Sequence, residues 1–513
     1  MHAHGKLAGW WARAGMVVIM VLGLSAYDWP QFGSNPQHSG NDTQETVINA
    51  GNVNTLARIY QVTLPGIADG APVFLNDVLT TDGWKRLLFV TTKNGWIVAL
   101  DWRTGSTVWS HQNGPGGCTD PSKHLPCITT SSPAIDPSRQ YVYSYGLDGY
   151  AHKYRASDGL ETLSGGWPEL LTTKPRTEKG SSALSIAPFV NGVSYLYAAS
   201  AGYPGDAGDY QGHLTAINLA TGAQKVFNTV CSNQTVHFTF TSPDCPTVES
   251  AIWARGGVTY DPDTRRIYMS TGNGTFSPTL HYWGDTLFAL NPDGSGAGGN
   301  PLDSFTPTNF KLLQDNDTDL GSTGPAILPG TSKYPHLAVQ GGKEGKLVLL
   351  NLDNLSGQGG PGHTGGQLFT IAVSDTVEIL AQPAVWTNPQ DHATWVFVAT
   401  EQDFYSYKMS VDGAGNPSLL AQWGISGQTS SPIVVNNVLF FVQDGNAYAV
   451  NPTTKAQLWH ANNIGSIHWE SPIVADGAFY VTDESSHFSA YTLGGVVPPT
   501  FTMSSLYLPL VLR

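Results

Sequence analysis

GWIVALDWRTGSTVW, residues 95 to 109, decides the fold. An apolar run rich in β-branched residues ends at Asp101, a short turn closes on Gly105, and a second extended stretch finishes on Trp109. That is a strand, a tight turn and a strand. The phrase returns most fully as GHLTAINLATGAQKVF from Gly212. Weaker copies begin at Gly149 (GYAHKYRASDG), Asp285 (DTLFALNPDG), Gly345 (GKLVLLNLDN), Asp403 (DFYSYKMSVDG), Gly445 (GNAYAVNPTTKAQLW) and Ser486 (SHFSAYTLGG). The chain therefore carries eight copies, and a repeat at fixed period overrides any domain count based on length.

A second element precedes each copy, as in SSPAIDPSRQYVYSYG from Ser131, SSPIVVNNVLFFVQDG from Ser430 and ESPIVADGAFYVTDE from Glu470. These apolar runs, bounded by Asn-Gly, Asp-Gly or Asp-Pro, read as further strands, and long amphipathic helical periods are absent. The copies are spaced 54, 63, 73, 60, 58, 42 and 41 residues apart. The shortest spacings match a four-stranded propeller blade of about 40 to 45 residues. Blades two to five thus carry insertions, which belong on loops because strands cannot absorb them. Eight antiparallel units with Gly and aromatic punctuation favour radial closure over a linear solenoid. The expected fold is all-β: an eight-bladed β-propeller of four-stranded antiparallel blades. Ring closure needs the chain ends to meet, and DWPQFGSNPQHSGN from Asp28 followed by ARIYQVTLPG from Ala57 offers an early strand for the last blade.

At the amino terminus, His2, His4, Lys6 and Arg13 precede the uncharged stretch Ala14 to Leu24 and then Ser25 and Ala26. This is the layout of a secretory signal. Eleven apolar residues fall short of the roughly 20 that a membrane helix needs. The expected division is a signal peptide at 1–26, a propeller at 27–495 and a tail at 496–513 ending in LYLPLVLR, with no integral membrane segment after signal removal. Cys118 lies close to Cys127 and Cys231 close to Cys245, each pair within a turn-rich loop. In an exported protein two local disulfides are the natural reading, although four cysteines allow three pairings. Without residues 1–26 the chain has 23 basic against 39 acidic side chains, so no nucleic-acid partner is expected. The expected location is extracellular or periplasmic. No G-x-S-x-G or H-E-x-x-H occurs, and two G-x-G-x-x-G matches, from Gly294 and Gly357, lie in loops without a following helix.

The W-P-Q-F opening, the A-L-D-x-x-T-G-x-x-x-W unit and the final S-P-I-V-x-x-G-x-x-Y-V unit resemble the pyrroloquinoline-quinone (PQQ)-like propeller family over residues 28 to about 493. The resemblance implies a quinoprotein dehydrogenase-like fold that also serves non-catalytic scaffolds. For the dehydrogenases it implies PQQ on the axis, a calcium ion at the quinone, a carboxylate base and a steadying cation. AIWARGGVTYDPDTRRIYMSTGNG, residues 251 to 274, is similar to the segment holding the PQQ floor and a calcium ligand, so Trp253 and Asn273 take those places. DNDTDLGS from Asp315 resembles the base segment and assigns Asp319 or Asp317, Asp319 being the better match. Lys343, in QGGKEGKLVLL, takes the place of the cation beside the quinone. The calcium-binding glutamate is missing from AGYPGDAGDYQG, where only Asp206 and Asp209 are acidic; Asp209 joins Asn273 and Asp319 as a candidate metal ligand. The adjacent cysteine pair common in the dehydrogenases is replaced by the separated Cys118 and Cys127. Two expectations follow: a PQQ- and calcium-dependent dehydrogenase acting on an alcohol or sugar, or a non-catalytic propeller that binds a cell-surface protein or glycan through the loops of blades two to five.

Overall fold

The computed structural model describes residues 28–497 apart from 115–117, 121–123, 191, 205, 207, 241–244 and 374–376. The expected signal peptide and nearly all of the expected tail lie outside the described residues. Eight antiparallel blades surround one axis. Blade 1 consists of Val73–Thr80, Gly83–Thr91, Trp96–Asp101 and Thr107–Gln112, paired in sequence order from the inner strand outward. Blades 2 to 7 follow at 134–170, 185–228, 259–305, 326–372, 384–426 and 433–461. Blade 8 takes its three inner strands from 473–493 and its outermost from Leu56–Thr63, which pairs antiparallel with His487–Leu493. Among the described residues the only α-helix is Phe310–Asp315, and no helix is long and apolar enough to cross a membrane. The insertions of blades two to five lie between strands, as expected, and both local disulfides, Cys118–Cys127 and Cys231–Cys245, form within them.

The repeat phrase is explained by how neighbouring blades lock. Trp109 of blade 1 is buried, and its indole Nε1 donates to the Ala156 carbonyl of blade 2 at 2.9 Å. Gly159, from the turn of blade 2, lies against that indole in the left-handed region, where a Cβ would come within 2.6 Å of the ring. Only glycine serves there. Trp423 repeats the donation to Pro452 O at 3.1 Å, and Trp459 repeats it to Leu56 O at 2.8 Å, which ties blade 7 to the closing strand.

The W-P-Q-F segment has a role of its own, separate from the strand that completes blade 8. Residues 28–42 cross the axis and bond to the inner strands of six blades. Trp29 bridges Phe74, while Pro30 O and Pro36 O accept from Ile135 N and Tyr260 N, both at 2.8 Å. Gln31 Oε1 accepts from Ile186 N at 2.7 Å, Ser39 O accepts from Val385 N at 2.8 Å, and Asn41–Asp42 runs parallel to Ile433–Val435. His38 is fully buried, its ring nitrogens each 2.9 Å from Phe32 O and Val258 O, and burial lowers its pKa. The segment acts as a plug that ties these six inner strands together.

Trp459→Ala removes both a buried ring and the bond to the closing strand, so it is expected to lower unfolding free energy by about 3–5 kcal/mol. Trp84, 52% exposed on a hairpin tip, is the control, with an expected loss within roughly 0.5 kcal/mol on change to Ala. Equal losses in denaturant titrations would contradict the latch.

Candidate active site

Where the inner strands begin, just above the plug, a cavity of about 210 Å³ opens on the axis. Its wall comes from the short segments leading into the inner strands, including Ser181 of blade 3, Trp253 and Arg255 of blade 4, Asp319 and Ser322 of blade 5, and Trp469 of blade 8. The backbone of the Trp253 segment is fixed on two sides: Ile252 N donates to Ser200 O and Ser182 Oγ donates to Ile252 O, both at 3.1 Å. The indole meets the edge of Tyr210 with ring centroids 6.4 Å apart, and its Nε1 is buried without a hydrogen-bond partner.

Asn273 follows the second strand of blade 4. Its backbone N donates to Asp319 Oδ1 at 2.6 Å and its carbonyl accepts from Ser250 N at 2.9 Å. Its side-chain Oδ1 is buried and unpartnered, which is costly unless a ligand completes it. Gly272 permits this arrangement, because a Cβ there would lie 2.0 Å from Asp319 Oδ1 and 2.7 Å from the Trp253 ring.

Asp319 sits at the turn into blade 5, nearly fully buried. Its Oδ2 is 2.5 Å from Lys343 Nζ, and Lys343 N donates to the Asp319 carbonyl at 2.9 Å. Lys343 also reaches Asp317 Oδ1 at 3.1 Å. Burial holds the Asp319 carboxyl above its ordinary pKa despite Lys343 and the Asn273 amide, which pull it down. For Lys343, the two aspartates overcome burial and keep the ammonium charged. Asp285 lies behind this group. Leu320 N donates to its Oδ1 at 3.0 Å, its Oδ2 has no partner, and burial pushes its carboxyl up to about 8.

Trp253, Asn273, Asp317, Asp319 and Lys343, expected from scattered segments, thus come together. Asp209 does not join them. Its carboxylate faces the fully buried Lys174 at 3.5 Å and accepts from Gln211 Nε2 at 3.1 Å, and Asp206 lines the cavity instead. Glu249, held at positive φ, is close enough that Asp206, Asp317 and Asp319, together with burial, raise its carboxyl. Asn273 Oδ1 and the Asp319 carboxylate are hard oxygens of the kind calcium takes, but among the described residues no three carboxylates at this end lie close enough together to share one ion. Neither disulfide is part of the cavity wall as described.

Two further cations, Lys179 and Arg255, line the cavity, and no local sequence pattern marks them. Lys179 Nζ is buried, with Ser181 Oγ at 3.3 Å and the Trp253 ring at 5.9 Å; burial and the nearby Arg255 push its pKa down to about 7. The Arg255 guanidinium lies 4.4 Å over Trp469, and its Nη2 is 3.5 Å from Asp69. Asp69, His468 and Glu484 lie close enough to hold a metal, but Lys93 already bridges Asp69 at 3.3 Å and Glu484 at 2.7 Å.

No family model matches the chain, and no curated protein matches it. Solved structures do. A quinohemoprotein alcohol dehydrogenase from Pseudomonas putida HK5 is 15% identical, covering 92% of this chain and 81% of that one, with a TM-score of 0.63. A europium-containing methanol dehydrogenase is 15% identical (91% and 98% covered, TM-score 0.62). A quinohemoprotein alcohol dehydrogenase from Comamonas testosteroni is 17% identical (93% and 82% covered, TM-score 0.59). At these identities the likeness establishes a shared fold, the quinoprotein dehydrogenase-like eight-bladed propeller.

The buried Asp285 gives a pH test. An acid raised in the fold is protonated without penalty at low pH, and its penalty grows between its unfolded pKa, near 4, and its folded value, about 8. In metal-free protein, wild type is therefore expected to lose stability relative to Asp285→Asn across that window, by up to about 1.4 kcal/mol per pH unit. A flat difference in denaturation free energy from pH 4 to 8 would refute this account of Asp285.

Proposed function

We propose that this chain is an exported quinoprotein that binds PQQ and calcium on the propeller axis and oxidises an alcohol or sugar. The observation that carries the reading is the unpartnered, buried Oδ1 of Asn273, a residue bonded through its backbone N to Asp319, next to a cavity lined by Asp319, Lys343 and Trp253. Asn273 and Asp319 would hold calcium, with Asp206 and Glu249 as further carboxylates in reach of the same field. PQQ held here would supply a hydride acceptor, and calcium a Lewis acid beside it.

The residues divide the remaining work. Trp253 offers an apolar face on which a planar group can lie. Asp319, with a carboxyl raised by burial, is suited to take a proton from a substrate hydroxyl, because a more basic carboxylate is a stronger general base. Asp317 lies beside Lys343 as the alternative base. Lys343 stays protonated and offers a fixed positive charge where reduced oxygen would carry negative charge. Two disulfides in insertion loops favour an oxidising compartment and hence export.

A second reading has one observation in its favour. Leu125, Leu160, Leu163 and Val236, from the insertions of blades two and three, are 42–72% exposed, which suits a scaffold docking a cell-surface protein or glycan.

Titration calorimetry with calcium, followed by dye reduction with a panel of alcohols and sugars, separates the two. PQQ is expected to bind at micromolar concentration, and Asn273→Ala and Asp319→Ala are each expected to lower turnover by about 10²–10⁴. Failure of PQQ to bind in the presence of calcium would leave the scaffold reading.

A further inference from the structure

The inner strand of blade 1 begins beside the axial cavity and runs away from it, so the turns at 80–83 and 102–106 lie at the far end of the blade. Residues at these two turns line a second cavity of about 210 Å³. The first turn is held by Thr80, whose hydroxyl donates to Gly83 O at 2.8 Å and accepts from Asp82 N at 3.2 Å. Gly83 stands in open space, and the next residue, Trp84, is 52% exposed. Leu79, paired with Trp84 across the hairpin, is 59% exposed. Single exposed apolar side chains are ordinary, but this indole is part of a cavity wall. The deeper groups already have partners. Arg86 lies 4.8 Å over the buried Trp102 ring and donates from Nε to Asn76 Oδ1 at 2.9 Å, and Lys85 pairs with Asp101 at 2.9 Å. Asp77, Asp82 and Arg103 differ: among the described residues their side chains form no hydrogen bond or ion pair, with one another or with any other group.

Charge narrows the ligand class. Three carboxylates in the wall, Asp77, Asp82 and Asp101, are balanced by three cations, Lys85, Arg86 and Arg103, so the cavity as a whole selects neither an anion nor a cation. It suits a neutral ligand rich in hydroxyls, because a carboxylate accepts from neighbouring hydroxyls and a guanidinium donates to them. The electron-rich face of an indole attracts the C–H face of such a ring. The volume is below the roughly 300–1,000 Å³ of sites for drug-sized ligands, which fits a single ring. We propose that this cavity binds one pyranose ring of a neutral glycan, with Trp84 as the stacking platform and Asp77, Asp82 and Arg103 as the hydroxyl contacts. Leu79 continues the apolar surface of Trp84 beyond the cavity wall, so the occupant is a chain rather than a free monosaccharide. The site shares no residue with the axial cavity and does not rest on the chemistry proposed there.

The probes are cellotriose, maltotriose and mannotriose, titrated into the full chain and followed by saturation-transfer NMR, with methyl glucoside for comparison. At least one trisaccharide is expected to bind at millimolar concentration, more tightly than methyl glucoside, with transfer strongest to the protons on one face of one ring. Trp84→Ala, which removes no buried contact, is expected to keep the fold and weaken binding about tenfold, and Trp84→Tyr to retain more of the affinity. Asp82→Asn keeps the shape of the side chain and loses its charge, and is expected to weaken binding by about three- to tenfold. Asp319→Ala is expected to leave trisaccharide binding unchanged. Absence of binding by all three trisaccharides at millimolar concentration overturns the proposal. So does binding that survives Trp84→Ala and is lost in Asp319→Ala, which assigns the sugar to the axial cavity. Because the axial site is altered separately, trisaccharide binding that depends on Trp84 stands even if PQQ fails to bind.

Discussion

The structure depends on an indole of one blade held against the turn of the next. Trp109 donates to Ala156 O and packs on Gly159, and Trp459 donates to Leu56 O on the strand that closes the ring. A radial stack of sheets has no other reason to stop at a fixed number, because each blade contacts only its neighbours. The latch sets the angle between blades. Ring closure through Leu56–Thr63 then makes that angle collective, so an error at one joint is shared by all eight.

This collective rigidity places chemistry on the axis. The cavity is lined by segments from blades far apart in sequence, and no single blade holds the site. The plug at 28–42 bonds six inner strands together beneath it, so the residues above are aimed from a fixed base. Preorganisation of this kind lets a buried acceptor such as Asn273 Oδ1 stay unpartnered until a ligand arrives. It also lets charges of opposite sign line one small cavity, Asp319 and Asp317 together with Lys179 and Arg255.

Local repetition made the fold legible. Eight copies of strand, turn and strand could be counted because each copy obeys the same neighbour contact, and turn glycines such as Gly159 sit where that contact demands them. Trp253, Asn273, Asp319 and Lys343 could be named because their segments keep the pattern of the family the sequence resembles. Lys179 and Trp469 could not be found that way: their importance comes from their place in the wall of the axial cavity, which leaves no mark on neighbouring residues. Gly272 was in view within T-G-N-G, but its necessity comes from Asp319, 47 residues on. Asp206 and Asp209 were separated only by the fold, which turns Asp209 toward Lys174.

The central claim is that the axial cavity seats a planar cofactor and a metal. A crystal structure of the full chain soaked with PQQ and calcium tests that most directly. The account predicts planar density over Trp253, with a metal beside Asn273 Oδ1 and Asp319. A ligand seated away from the axis, or bound there with no metal near Asn273, would contradict it.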